Sequence, residues 1–288
     1  MAETTKKRSP ILLISLILII VGLIIAVIGG ILWGTIGVEK YITYKTIDVS
    51  QPLTTSDGTE IKNIDIDIGV ATVNIHRGGD KIVVHGEYLP DSDYTVGVQG
   101  STFTVKSRYG FNIFGLKELI SVSINTPTLD ITLPDKVYET VSFNVGTGDI
   151  EADGITAEKL DLDIGTGKLK ATNFKISSDI KIDLGTGNVD MKNIEANRID
   201  VDCGTGDMDY TGTITGRLDV DCGVGSAQFN IRGHYFDYDI DIDKGVGNVD
   251  INKGDINAGS SRSKDERPIP IKVDVGVGNV SLNFIGDK

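Results

Sequence analysis

Aspartates are the side chains in this chain whose types and spacing could most readily do chemistry. They recur as D-x-D pairs at Asp161/Asp163, Asp200/Asp202, Asp219/Asp221 and Asp241/Asp243. Because Ca²⁺ takes several carboxylate oxygens, stacked rows of such pairs could form a cation-binding ladder. Lys181 and Lys272 interrupt the rows in two copies, and the pattern does not match the nine-residue G-G-x-G-x-D calcium repeat. We therefore expect a solvated acidic face and no cofactor, with Ca²⁺ as the alternative.

Cysteine and histidine offer two further candidate sites. Cys203 and Cys222 occupy the same inward position in consecutive repeats, so an extracellular disulfide is one hypothesis. We favour a stacked pair of buried thiols, because directly paired parallel positions fit disulfide geometry poorly. His76 and His85 lie in consecutive predicted strands and could face each other across a hairpin. A zinc site needs three or four ligands, and no third ligand is evident, so we expect no metal.

The remaining motifs favour a non-enzymatic protein. The sequence contains no Ser-His-Asp arrangement, phosphate loop or zinc motif, and its G-T-G units recur between strands rather than before helices. The net charge of −13 excludes a broad nucleic-acid surface, which requires a basic face. We expect no catalytic residues and no nucleic-acid partner.

One apolar segment stands out between two predicted strands. Residues 109–120, YGFNIFGLKELI, include Phe111, Ile113, Phe114 and Leu116. Exposed loops are seldom this apolar, and exposed apolar patches mark interaction sites. One hypothesis is a partner-contact or membrane-resting tip. The other, which we favour slightly, is a plug over the end of the core.

A glycine-x-glycine repeat organises most of the chain. Copies such as LDLDIGTGKLKA and IKIDLGTGNVDM follow one another at intervals of 19, 20, 19, 19, 22 and 31 residues, and IDIDIGVATVNI is an earlier, degenerate copy. The glycines suit a tight turn or the close approach of neighbouring coils. These structural turn glycines are Gly146, Gly148, Gly165, Gly167, Gly185, Gly187, Gly204, Gly206, Gly223, Gly225, Gly245, Gly247, Gly276 and Gly278.

Each copy reads as strand, glycine turn, strand and loop. Leu160, Leu162 and Ile164 share one face of a period-2 strand, while aspartates share the other. One unit of this length cannot bury its own apolar face, so copies must stack on their neighbours. The sequence predicts an all-β fold, with a parallel β-solenoid of one coil per copy over residues 136–288. We expect Lys244, at an otherwise apolar position, to reach the surface near its turn.

The N-terminal part predicts a membrane anchor. Residues 11–33 carry no charge, and ~1.5 Å per residue gives about 34 Å, enough to cross a bilayer. Basic residues precede this run, so the positive-inside rule makes residues 1–10 a cytoplasmic tail and places the rest outside the membrane. We expect one transmembrane α-helix, a juxtamembrane linker over 34–46 and a strand-rich opening part over 47–135. A cleaved signal peptide is the alternative, but its apolar region would be shorter.

The stretch LDITLPDKVYETVSFNVGTGDIEADGI and the units that follow it resemble the bacterial "putative adhesin" β-strand-repeat family, over roughly residues 60–285. That family is a domain of unknown function related to the head domains of autotransporter adhesins. Members with one N-terminal helix include LiaG-like proteins encoded beside cell-envelope stress-response systems. The resemblance implies a repeat fold and an envelope setting, and it brings no catalytic motif.

Two functional hypotheses follow. The first is a single-pass cell-membrane protein whose extracytoplasmic domain is a scaffold or binding module, linked to envelope stress response or adhesion. Its partners would be the bilayer, through the helix, and an envelope protein or cell-wall polymer. The alternative is a polysaccharide-acting β-helix enzyme, which rests on fold analogy alone. We favour the first, because basic residues are scattered and aromatics are only 6% of the chain.

Overall fold

Alternating apolar and polar residues form strands throughout the part of the chain that the computed structural model describes, which is residues 44–90, 94–107, 126–254 and 267–286. The predicted all-β fold is confirmed there. The described residues hold no helix long and apolar enough to cross a membrane. The predicted anchor, residues 11–33, lies outside them. By internal contacts, residues 44–110 and 125–288 form one unit, and the residues of a second unit fall outside the described ranges.

Seventeen strands and one 3-10 turn, Tyr235–Asp237, make up the described part. The strands are β1 Tyr44–Pro52, β2 Asn63–Val70, β3 Thr72–Arg77, β4 Lys81–Pro90, β5 Tyr94–Gln99, β6 Thr102–Ser107, β7 Thr128–Leu133, β8 Tyr138–Thr147, β9 Ile150–Asp153, β10 Thr156–Thr172, β11 Lys175–Thr205, β12 Met208–Val224, β13 Ala227–Ile231, β14 Tyr238–Val246, β15 Val249–Asn252, β16 Ile269–Val277 and β17 Val280–Phe284.

A coil has two main sides joined at the glycine turn. In β10 the first side, 160–164, buries its three aliphatic residues, and the chain then bends at 165–167 into the second side, 168–172. A second corner follows at Asn173, whose φ of 57° is left-handed and therefore suits asparagine. Phe174 then returns the chain to the core, where it is 1% exposed. The aliphatic residues of all coils form one continuous core.

Neighbouring coils pair in parallel and almost in exact repeat. Leu162 lies beside Phe143 on one side and Ile182 on the other, so the step between coils is 19 or 20 residues. This ladder produces the solenoid-like stack that the repeats predict. Since each coil contributes the same inward positions, the core extends along the stack rather than forming a central cluster.

The N-terminal end of the stack uses antiparallel strands. β2–β3, the degenerate copy, lies beside β8–β9 on one side and beside β6 and β7 on the other. β4 then pairs antiparallel with β7, β1 with β4, and β5 with β6. These strands cover the end of the repeat stack.

The C-terminal end departs from the chain order. Repeats predict that each copy stacks on its sequence neighbours, but β16–β17, the last copy, lies between β12–β13 and β14–β15. Lys244 provides a physical reason. In chain order this inward residue would sit between the buried Cys222 and Val275, whereas in the end coil it is exposed and its ammonium group donates to the Gly247 carbonyl. A buried, unpaired ammonium group would be costly. The expectation that Lys244 reaches the surface near its turn is confirmed.

Candidate functional site

The predicted turn glycines stand where coils touch through their backbones. A Cβ at Gly206 would lie 1.5 Å from the Gly187 carbonyl oxygen, and one at Gly204 would lie 2.5 Å from the Gly185 oxygen. The second glycine of each triplet also has a positive φ, 153° at Gly206. Both glycines are therefore architectural, because no side chain fits between the coils.

The residue after each second glycine completes the corner. The Asp207 carboxylate accepts a hydrogen bond from the Ser226 amide at 2.8 Å, and the Asn188 side chain accepts one from the Asp207 amide at 3.1 Å. Asp149 does the same for the Lys168 amide at 2.9 Å. The position after the second glycine is Asp or Asn in several copies. This pattern is visible in the G-T-G-D and G-T-G-N units, but its role was not predicted from the sequence.

The aspartates form two outward rows along the stack, as predicted. One row is uninterrupted over six coils because the last copy inserts its own aspartate. Its members are, in stack order, Asp163, Asp183, Asp202, Asp221, Asp274 and Asp243. Neighbouring coils lie ~4.8 Å apart, so these like charges repel one another.

Lysines that stand in the second row relieve part of this repulsion. Lys272 lies between Asp219 and Asp241, and its ammonium group is 2.6 Å from the Asp274 carboxylate. That hydrogen bond is the main cause that raises the pKa of Lys272 above its ordinary value. In the described ranges, no group of three or more His, Cys, Asp or Glu side chains is arranged to hold a metal ion. The rows therefore behave as a partly neutralised acidic face.

Cys203 and Cys222 lie directly beside each other in adjacent coils, both buried, and both are free thiols. Their mutual hydrogen bond is the main cause that lowers the pKa of Cys203 and raises that of Cys222. The stacked-thiol arrangement matches the prediction from their shared inward position.

The two histidines do not meet. β7 lies between β3 and β4, so the predicted hairpin is wrong: His76 pairs with Thr132, and His85 with Asp130. His85 instead places Nδ1 2.6 Å from the Asp48 carboxylate and Nε2 3.3 Å from that of Glu87. The hydrogen bond to Asp48 is the main cause that raises the pKa of His85 above its usual 6.5.

Phe111, Ile113, Phe114 and Leu116, the predicted contact residues, lie outside the described residues, but the strands that flank them are described. β6 ends at Ser107 beside β2, and β7 begins at Thr128, opposite Thr72 at the start of β3. The neighbouring strands β2 and β3 are joined directly at residues 69–71, whereas residues 108–127 separate β6 from β7 in the chain. β6 therefore ends, and β7 begins, at the glycine corner of the stack.

Two hollows bear on the question of a substrate site. An enclosed hollow beside Arg77, Tyr138 and Ile155 holds about 10 Å³, which is room for roughly one water molecule. A wider, open depression of about 490 Å³ is lined by Gln51, Pro52, Thr54, Thr55, Ser56 and Val98. The Thr55 hydroxyl in this lining donates a hydrogen bond to the Asp57 carboxylate, and that bond is the main cause that lowers the pKa of Asp57. Asp57 is therefore a hydrogen-bond acceptor at a turn, with no histidine or cation of the described residues beside it to complete a catalytic group.

Comparison with known proteins agrees with the resemblance seen in the glycine repeats. The sequence profile of the family described as Toastrack DUF4097 matches residues 61–287. No curated protein matches the sequence.

Several solved structures are similar at low identity. A "putative cell adhesion protein" from Clostridium sporogenes shares 16% identity at a TM-score of 0.41, over 85% of this chain and 100% of that one. A "putative adhesin" from Bacteroides fragilis shares 16% identity at a TM-score of 0.39, over 84% of this chain and 97% of that one. A "putative lipid binding protein" from Parabacteroides distasonis shares 11% identity at a TM-score of 0.31, over 85% of this chain and 97% of that one. Likenesses this distant say nothing about what the present chain binds.

Proposed function

The chain belongs to the Toastrack DUF4097 family, and we propose that it is a non-enzymatic binding module anchored at the outer face of the cell membrane. Residues 11–33 would form the anchor, with residues 1–10 in the cytoplasm and the β-domain outside. The partner would be an envelope protein or a cell-wall polymer, in an adhesion or envelope-stress setting. No part of this proposal requires a cofactor.

The observation that carries the proposal is a shared corner of the domain. The chain enters β1 at Tyr44, and β1 runs antiparallel to β4, which runs antiparallel to β7. The starts of β1 and β7 therefore lie at the same end of the sheet, two strand spacings or about 10 Å apart across it, and they are staggered by three residues of β4, or about 10 Å, along it. The predicted anchor and the apolar segment both join the domain there. A ten-residue link, 34–43, spans at most ~36 Å.

This placement supports the membrane-resting role of the apolar segment. A corner tethered within a few tens of ångströms of the bilayer brings the segment that contains Phe111, Ile113, Phe114 and Leu116 within reach of the same surface. Aromatic and aliphatic side chains at the end of a tethered domain would bury apolar area in the interface. We therefore assign these four residues to contact with the membrane surface.

The chemistry of the described surface supports a binding module over an enzyme. A polysaccharide-acting enzyme would need a carboxylate cluster with a nearby cation in a groove. The acidic rows instead lie on the outer face of the strands, and the lysines that stand in one row contact aspartates of the other. The residues that line the open depression between Gln51 and Val98 include no titratable side chain.

Topology labelling tests the anchored arrangement. In a chain whose native cysteines are replaced by alanine, Ser56→Cys should react with a membrane-impermeant maleimide in intact cells. Ser9→Cys should react only after permeabilisation, and the protein should stay with membranes in alkaline carbonate. Labelling of Ser9→Cys from outside, or release by carbonate, would overturn the anchor.

Lipid quenching tests the apolar segment separately. A fluorophore on Phe114→Cys should be quenched by lipids labelled near the headgroup, whereas one on Ser56→Cys should not. Equal quenching at both sites would refute membrane contact by the segment while leaving the anchor intact.

A further inference from the structure

The C-terminal end of the stack is an unextended sheet edge. Within the described ranges β14 pairs only with β16, and β15 only with β17. The main-chain groups on the outer side of residues 240–246 therefore have no strand beside them in that part of the chain. Such an edge is a template for one more strand.

At this edge, the apolar side chains on the inner face are only partly buried, and the side chains on the outer face are acidic. Ile240 and Ile242 are only half-buried, whereas Ile271 and Val273, their equivalents one coil inward, are 1% and 0% exposed. Asp241, which lies between the two isoleucines, and Asp243, which follows them, point outward and are exposed. An added strand would cover the isoleucines and place its alternate residues beside the two carboxylates.

The stack itself shows which residue suits that place. Lys272, in the strand next to β14, lies beside Asp241. Lys181 lies beside Asp161 of the neighbouring strand, and its ammonium group reaches Asp183 of its own strand at 2.5 Å. At the opposite end, in β6, the Lys106 ammonium group lies 2.8 Å from the carboxylate of Asp65 in β2. Strands that carry lysine thus pair repeatedly with strands that carry aspartates.

We propose that the outer edge of β14 binds an extended segment of a partner protein, added as a strand, in which lysine or arginine alternates with aliphatic residues. Lys244 extends the pattern, because its exposed ammonium group favours an acidic residue opposite it. The preferred sequence is aliphatic, basic, aliphatic, basic, acidic, read along or against β14. This proposal rests on the binding function proposed above and names its site and partner chemistry.

Charge argues against a second copy as the occupant. An edge-to-edge pair of two β14 strands would bring Asp241 and Asp243 of one chain against the same residues of the other, and like charges across a strand pair repel. Residues 255–266, which follow β15, are another candidate occupant of the edge. The experiment below distinguishes them from a partner protein.

The test uses full-length protein in zwitterionic nanodiscs and a labelled peptide with two repeats of V-K-V-K-E. We expect saturable binding of this peptide and at least tenfold weaker binding of the charge-swapped V-E-V-E-K peptide. Asp241→Lys combined with Asp243→Lys should weaken binding at least tenfold. The matched control, Asp161→Lys with Asp163→Lys, changes the same face in the middle of the stack and should leave binding unchanged.

Main-chain recognition gives an independent arm. Methylation of alternate amide nitrogens should abolish binding, because it removes the strand hydrogen bonds without changing charge. Equal binding of the charge-swapped or methylated peptide, or an equal loss in the Asp161/Asp163 control, would overturn the edge site. Dimers that disappear in the Asp241/Asp243 variant would assign the edge to a second copy. Tenfold stronger binding after residues 255–266 are replaced by a Gly-Ser linker would assign it to that segment.

The outcomes separate the two proposals. If topology labelling shows the N-terminus outside while the peptide still binds, only the anchored arrangement fails. If the labelling holds and the peptide does not bind, only the edge site fails.

Discussion

Gly206→Ala should be among the most damaging single-methyl additions in this protein. The new Cβ would lie 1.5 Å from the Gly187 carbonyl oxygen, while Cβ contacts under 3.0 Å essentially never occur, so the corner must open by 3.0 − 1.5 = 1.5 Å. Opening by that distance breaks the two hydrogen bonds that join these coils nearby, from the Val189 amide to the Asp207 carbonyl at 2.9 Å and from the Asp207 amide to Asn188 Oδ1 at 3.1 Å.

The magnitude follows from these losses. Two hydrogen bonds contribute roughly 1–1.5 kcal/mol each, and an alanine held at a φ of 153° adds about 1–3 kcal/mol of backbone strain. We expect the free energy of unfolding to fall by roughly 3–6 kcal/mol. Gly204→Ala should cost about 1–3 kcal/mol, because its Cβ needs a shift of only 3.0 − 2.5 = 0.5 Å.

Urea unfolding followed by circular dichroism measures these changes, with Gly97→Ala as the matched control. Gly97 lies in β5, and a Cβ there meets no atom within 4 Å, so its effect should stay within about 0.5 kcal/mol. Because solenoids can open locally, amide hydrogen exchange should also show lost protection near residues 189 and 207 in Gly206→Ala alone. Equal stability of Gly206→Ala and Gly97→Ala would refute the close-approach argument.

Three further predictions concern charge. The pKa of His85 is raised in the folded state, so its contribution to stability is complete below the unfolded pKa near 6.5 and is lost as pH rises through the folded pKa. The protection factors of the β1 amides, which remove the intrinsic pH dependence of exchange, should therefore fall across that range in the native protein. Unchanged protection factors, or the same fall in His85→Gln, would count against this reasoning. Asp202→Lys should stabilise the protein by roughly 1–2 kcal/mol at low salt and less at high salt, whereas Asp80→Lys, outside the rows, should not; a salt-independent effect would contradict the repulsion argument. Millimolar Ca²⁺ should shift the melting temperature no more than Mg²⁺ at equal ionic strength, and a Ca²⁺-specific rise would restore the cation-ladder hypothesis.

The repeat architecture was predictable from the sequence because each of its rules is local. Period-2 alternation identifies the inward residues of a strand such as 160–164, and a recurring G-x-G identifies the corner. The outward rows of aspartates follow from the same alternation. These features depend on neighbours in sequence and on identical neighbours one coil away, so a single copy predicts its own environment.

The features that were missed depend on which coil lies next to which. The order of the last two coils is not encoded in their nearly identical turns, and only Lys244, one residue out of pattern, distinguishes the coil that ends the stack. The hairpin proposed for His76 and His85 failed for a similar reason, because β7 lies between their strands although its partner residues are 56 and 45 positions away in the chain. The open edge of β14 could not be seen without that order.

The inserted position of the last coil has a consequence for how the protein is made. As the chain emerges, its early coils can each settle on the one before, but β14–β15 cannot take its final place until β16–β17 arrives between it and β12–β13. The coil that comes later in the chain thus closes this end of the domain by insertion between two coils that precede it. A chain that stopped before Ile269 would leave β12 and β14 without the strand that joins them, and unpaired strand edges are sites of aggregation.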